Sequence, residues 1–111
     1  DTLSRSHEAL NTHDAVVPYL EIKDSIRVIN NGSSNAVDRQ KYVTVQTPQC
    51  FTLKVVKKAY LGEYQEVFTD DASVVENSGV DIHLIVGNEE NIKITTQKDL
   101  LTAMTILKNI K

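Results

Sequence analysis

The side chains of this 111-residue chain with the most chemical promise stand in three polar segments at the ends of apolar runs. The first joins Asp38-Arg39 to Gln46-Thr47-Pro48-Gln49. The second is Thr69-Asp70-Asp71, and the third runs from Gly87 to Thr96 and holds Lys93. Element ends are loops, and loops on a rigid scaffold carry functional groups. Arginine, lysine and hydroxyls together suit a phosphate ester: arginine by a planar two-point hydrogen bond, lysine as a compact charge. Each group also has a plainer reading. Arg39 beside Asp38 fits a surface ion pair. Thr69-Asp70-Asp71 fits the start of a helix, where hydroxyl and carboxylates cap free N–H groups, although such a start also receives an anionic or hydroxyl-bearing ligand. Lys93, between Ile92 and Ile94 and on the opposite face of a short strand from both, fits a solvated edge-strand lysine or a fixed cation facing a phosphate. The pair of amides around Thr47-Pro48 fits one wall of a phosphate-ester site of which the chain holds only part.

Other chemistries find little support. His7, His13 and His83 have no metal-ligand spacing. The single cysteine, Cys50, has no partner for an internal disulfide and reads as a small apolar residue. No nucleophile elbow, Walker loop, dinucleotide fingerprint or zinc-protease motif occurs. With 12 Lys+Arg against 15 Asp+Glu the net charge is −3, which gives no general attraction to nucleic acid or anionic membrane. No apolar run reaches the roughly 20 residues that span a bilayer. A lone cysteine and no secretory signal make the cytoplasm the expected setting. Composition, 41% hydrophobic and 24% charged, suits one globular domain.

The elements that must position these groups alternate between helix and strand, which argues for α/β layering. Residues 2–12 read as a helix, entered at once and without an initiator Met, as in a chain cut from something longer. Residues 15–22 read as an apolar strand that Pro18 marks as an edge or a strand entry. Residues 24–30 alternate and meet Asn31-Gly32, a hairpin turn signal, so that 20–38 form a β-arm with a flexible tip. A period-2 strand follows at 41–46. Residues 52–64 read as a helix that Thr52 caps, with Leu53, Val56, Ala59 and Tyr60 on one face. A short helix after Thr69 stops at Gly79, and residues 82–87 form a strand that a glycine ends. The last helix starts at Thr96, with Asp99 completing a capping box, and buries Leu100, Ala103, Met104 and Leu107.

The motifs VDR, VQTPQCF, FTDDASVVENSG and VGNEENIKITTQKDLLTA, in this order and spacing, resemble the C-terminal part of the 2-C-methyl-D-erythritol 4-phosphate cytidylyltransferase family over nearly the whole chain. The resemblance implies part of a Rossmann-like α/β nucleotidyltransferase, a three-layer sandwich with a protruding arm that holds a homodimer. It implies CTP and methylerythritol phosphate as substrates, cytidyl diphosphate and pyrophosphate as products, and the non-mevalonate isoprenoid pathway. Arg39 matches the arm arginine that reaches the methylerythritol phosphate of the partner subunit. Ser25 stands where the family usually has threonine and keeps the hydroxyl. Thr47 and Thr69 match hydroxyls of the same pocket, Lys93 matches the lysine that neutralises the reacting phosphates, Pro48 and Gln49 shape a turn, and Glu90 is a weaker contact. The family's glycine-rich CTP loop and its metal-holding aspartate precede the matched region, so the Mg²⁺ ligand is expected in an N-terminal half outside these residues, as is the cytosine pocket. Gln97 replaces the family's usual proline at the first helical position, a mild change. The sister enzyme ribitol-5-phosphate cytidylyltransferase shares QTPQ and NIKITT but differs around the helix-opening acids. A third reading is a non-catalytic assembly fragment.

Overall fold

A computed structural model describes residues 1–110. The sheet is assembled on β1 (Ala15–Glu21). It pairs in parallel with β6 (His83–Val86), from Val16 opposite His83 to Tyr19 opposite Val86. Its other edge is shared by two antiparallel strands: β5 (Cys50–Phe51) takes Ala15 and Val16, and β4 (Val43–Val45) takes Tyr19, Leu20 and Glu21. Successive strand residues point to opposite faces, yet Ala15, Val16, Val17 and Pro18 are all buried, so β1 is covered on both. Burial on two faces is why this segment is continuously apolar instead of alternating.

On one side Ala15 meets Ala59 of α2 (Leu53–Ala59) and Val75 of α3 (Asp71–Asn77), with Phe51, Val55, Val56, Val74, Val80 and Ile82 packed around them. Helix α1 (Thr2–Ala9) packs on β1 and β6 and buries Thr2 and Ser6. The Ser6 hydroxyl donates to the Thr2 carbonyl at 2.8 Å, so the buried polar group is satisfied. The arm is present as β2 (Arg27–Asn30) against β3 (Ser33–Ala36), and every residue of both strands is exposed. Asn31 and Gly32 both take positive φ, 49° and 82°, the pairing that a tight two-residue hairpin turn requires.

Several expectations are corrected. Pro18 lies in the central strand and not on an edge. It is tolerated because it falls where β5 ends and β4 has not begun; there its carbonyl accepts from the Gln46 N–H at 2.9 Å. Helix α1 stops at Ala9 and gives way to turn at residues 10–12, short of the expected 2–12. The expected strand at 41–46 contracts to three residues, because Arg39–Lys41 form a 3₁₀ turn that the Asp38 carboxylate caps at Gln40. Helix α2 ends at Ala59 instead of residue 64, just ahead of the poor helix former Gly62. It packs through Val55, Val56 and Ala59 while Leu53 is 67% exposed, and the Thr52 side chain makes no capping hydrogen bond.

The C-terminal region departs furthest. Ile92-Lys93-Ile94 is loop, not strand. Helix α4 (Gln97–Asn109) begins with the full Thr96–Asp99 capping box, as expected. Its apolar face is not buried, however: Leu100, Met104 and Leu107 are exposed and Ala103 is half-buried. Of these, Ala103 and Leu107 line an open groove of about 950 Å³ together with Leu3, Ile92, Ile94 and Ile106.

Candidate functional site

The two amides that end the β4 strand hold neighbouring loops. Gln46 Nε2 donates to the carbonyls of Asn88 (2.8 Å) and Asn91 (3.0 Å), while its Oε1 accepts from the Asn88 N–H at 3.2 Å. Asn91 returns the contact by donating its side-chain amide to the Thr47 carbonyl at 2.6 Å. Gln49 faces the other way. Its Nε2 donates to Asp70 Oδ2 at 2.9 Å and its Oε1 accepts from the Ala72 N–H at 3.0 Å. Thr47-Pro48, joined by a cis peptide bond, is therefore suspended between the Gly87–Thr96 loop and the start of α3.

Around this suspension lies a cavity of about 880 Å³. Thr47, Pro48, Gln49, Thr69 and Lys93 all line it, together with an aromatic wall of Tyr60, Tyr64 and Phe68. Three residues far apart in sequence, Thr47, Thr69 and Lys93, thus share one cavity. Lys93 is exposed, and the only ion pair among the described residues, Lys23–Glu89, lies elsewhere, so its ammonium is uncommitted. The acids beside it are committed. Burial pushes the Asp70 carboxyl up, but hydrogen bonds from Ser73 and Gln49 outweigh burial and hold it below the ordinary value. Asp71 accepts from the Tyr60 hydroxyl, a bond that raises the tyrosine above its usual range. Asp70, not Thr69, caps α3, which leaves the Thr69 hydroxyl free of that duty.

Ser25 and Arg39 are not in this cavity. They line a depression of about 570 Å³ at the base of the arm, where Arg39 Nη1 donates to the Lys23 carbonyl at 2.6 Å. Asp38 caps its own turn instead of pairing with Arg39. Glu90 lies in the groove beneath α4, away from both. His13 and His83 stack, ring centroids 3.6 Å apart, and among the described residues no group of three or more His, Cys, Asp or Glu gathers.

Sequence reasoning missed Gly87 and the clasping role of Gln46. A Cβ at Gly87 would stand 2.0 Å from Gln46 Oε1 and 3.2 Å from the Tyr19 carbonyl, so only glycine lets the amide reach the next loop. The available signal was the run of amides itself: each carries donors and an acceptor, suited to loop backbone that no strand pairs.

A cavity at the strand ends of an α/β sheet, lined by two threonines and an unpaired lysine, is of a kind that suits a phosphate ester. The matches with known proteins are narrower. The model of the 2-C-methyl-D-erythritol 4-phosphate cytidylyltransferase family matches residues 1–109, and the chain belongs to that family. The enzyme of that name from Bacteroides thetaiotaomicron is 43% identical over 96% of this chain and 49% of its own length. The one from Bacteroides fragilis is 46% identical over 84% of this chain and 42% of its own. The crystal structure of the Thermus thermophilus enzyme, at 27% identity, superposes with a TM-score of 0.82 over 96% of this chain and 54% of that one. The chain thus spans about half the length of the relatives it matches. Its fold is that of these nucleotidyltransferases.

Proposed function

We propose that this chain is the substrate side of a cytidylyltransferase that joins CTP to 2-C-methyl-D-erythritol 4-phosphate in isoprenoid precursor synthesis. The observation that carries the reading is the convergence of Thr47, Thr69 and the uncommitted Lys93 on one cavity. In the reaction a phosphate oxygen of methylerythritol phosphate attacks the α-phosphorus of CTP in line. The new P–O bond forms as the bond to pyrophosphate breaks, and pyrophosphate carries away the electron pair. Two polyanions must meet, so the work is positioning and cancelling charge. Lys93 offsets the charge that gathers on the reacting phosphates, while Thr47 and Thr69 donate hydrogen bonds to the nucleophile. Arg39 and Ser25, at the base of the exposed arm, serve the cavity of a second copy in a homodimer, in the reducing cytoplasm.

Mg²⁺ is the expected companion of CTP. The residues described here do not fit as its ligands. Two of the three acids at the cavity are engaged, Asp70 by Ser73 and Gln49 and Asp71 by Tyr60. Glu63 stands alone on the rim, with no group of three or more possible ligands among the described residues.

The test is pyrophosphate release from CTP and methylerythritol phosphate, with Mg²⁺, by the full product of the gene. Ribitol 5-phosphate serves as the control. Turnover with methylerythritol phosphate alone supports the reading. Preference for ribitol 5-phosphate moves the protein to the sister activity, and no turnover with either leaves an assembly module.

A further inference from the structure

We propose that Gln49 is a positioning residue, whose single amide sets the spacing between the Thr47 and Thr69 walls of the cavity. The inference rests on the proposed function for its catalytic readout. Thr47 and Thr69 are on segments 22 residues apart, and neither hydroxyl is fixed to the other by a shared element. Gln49, two residues after Thr47, reaches the residue after Thr69 through Asp70 Oδ2 and continues to the Ala72 N–H. The bond pattern needs an uncharged group that donates from one atom and accepts at the other. Asp70 already accepts from the Ser73 N–H at 2.8 Å and is held ionised, so the atom facing it must donate. The backbone N–H of Ala72 must be accepted. A glutamine does both at once, whereas an ionised carboxylate can only accept.

The pattern also sets a test that simple loss of packing would not imitate. In Gln49→Glu two carboxylates face each other and share one proton, so the first protonation of the pair is shifted upward. The protonated acid can donate to Asp70 and accept from Ala72, which restores the clasp. Nearby charges do not replace it: Asp71 is taken by Tyr60, and Lys93 and Glu63 are exposed on the cavity rim. Gln49→Ala has no such route at any pH.

The experiment measures kcat and KM for both substrates from pH 5.5 to 8 in the full gene product, alongside melting. Gln49→Ala should lower kcat/KM for methylerythritol phosphate by about 10- to 100-fold, the scale of a misplacement near 1 Å, with KM for CTP nearly unchanged. Gln49→Glu should show a similar deficit at pH 8 and recover toward wild type as pH falls. Wild-type kcat/KM in Gln49→Ala, or a Gln49→Glu deficit independent of pH, overturns the assignment. A wild type inactive on every substrate overturns the functional reading instead. The clasp is then decided by melting: Gln49→Glu must gain stability relative to wild type toward acid, and parallel curves overturn it.

Discussion

Gly87→Ala isolates the tightest contact of the site. Gly87 is buried, and its φ lies outside the left-handed region, where only Asn31, Gly32 and Gly79 are found among the described residues, so alanine suits the backbone. On that ground alone the change would stabilise by about 0.4–1 kcal/mol, through a less flexible unfolded chain. The added Cβ, however, would come within 2.0 Å of Gln46 Oε1 and force the amide to leave. Gln46 then loses three hydrogen bonds, to the Asn88 carbonyl, the Asn91 carbonyl and the Asn88 N–H. At about 1 kcal/mol each they amount to about 3 kcal/mol, and the net loss is about 2 kcal/mol. Urea unfolding of wild type, Gly87→Ala, Gln46→Ala and the double variant measures this as a coupling. With the glutamine already removed, Gly87→Ala should cost little, since only the Tyr19 carbonyl at 3.2 Å remains to give way. An equal cost of Gly87→Ala in both backgrounds refutes the reasoning.

Lys93→Ala should lower kcat by about 10²- to 10³-fold, the usual scale for removing one charge-stabilising donor, and leave melting unchanged because the side chain is exposed; parallel losses in both would mark Lys93 as structural. Asp70→Ala should cost about 1 kcal/mol near neutral pH as a lost helix cap. Because the folded carboxyl is held below its ordinary value of 3.8, that contribution is fully present above this value and fades as pH falls through the folded one. The gap between wild-type and Asp70→Ala stability curves should therefore close in acid; a gap that widens there contradicts the assignment. Thr96→Ala should loosen α4 by about 1 kcal/mol while Thr96→Ser keeps the box, read by hydrogen exchange along the helix.

What was legible in the sequence was written locally. Asn31-Gly32 determines its turn by the φ values its own residues accept, Thr96 finds Asp99 three residues on, and Gly79 stops α3 with a positive φ of its own. The order of the polar motifs identified the family, and with it the residues that the fold gathers at the cavity. What was hidden depended on distant partners. Pro18 signals an edge until it is known that β5 and β4 divide the strand opposite it. Leu53 and Tyr60 read as part of the buried face of α2, yet in the fold Val55, Val56 and Ala59 take it, because the cluster with Ala15 and Val75 sets which side faces inward. Lys93 sits in an alternating Ile-Lys-Ile pattern that reads as strand, yet Asn91 binds the Thr47 backbone just before it and the segment continues as loop. The clasps of Gln46 and Gln49 join segments more than 20 residues apart, and no local pattern marks such a reach.

Every strand of the larger sheet pairs with β1, and this ordering has a consequence for synthesis. The parallel partner of β1 begins at His83, long after β1 ends at Glu21. At about 5–20 residues per second, a ribosome leaves the apolar segment Ala15–Leu20 without its β6 neighbour for roughly 3–12 s. An unpaired apolar strand is a template for neighbouring nascent chains. Pro18, in the middle of that run, lacks the N–H that such stacking needs, and Pro is a residue that interrupts aggregation-prone windows. The native sheet tolerates it only because β5 and β4 divide opposite it, so one residue serves both the finished fold and the chain still being made.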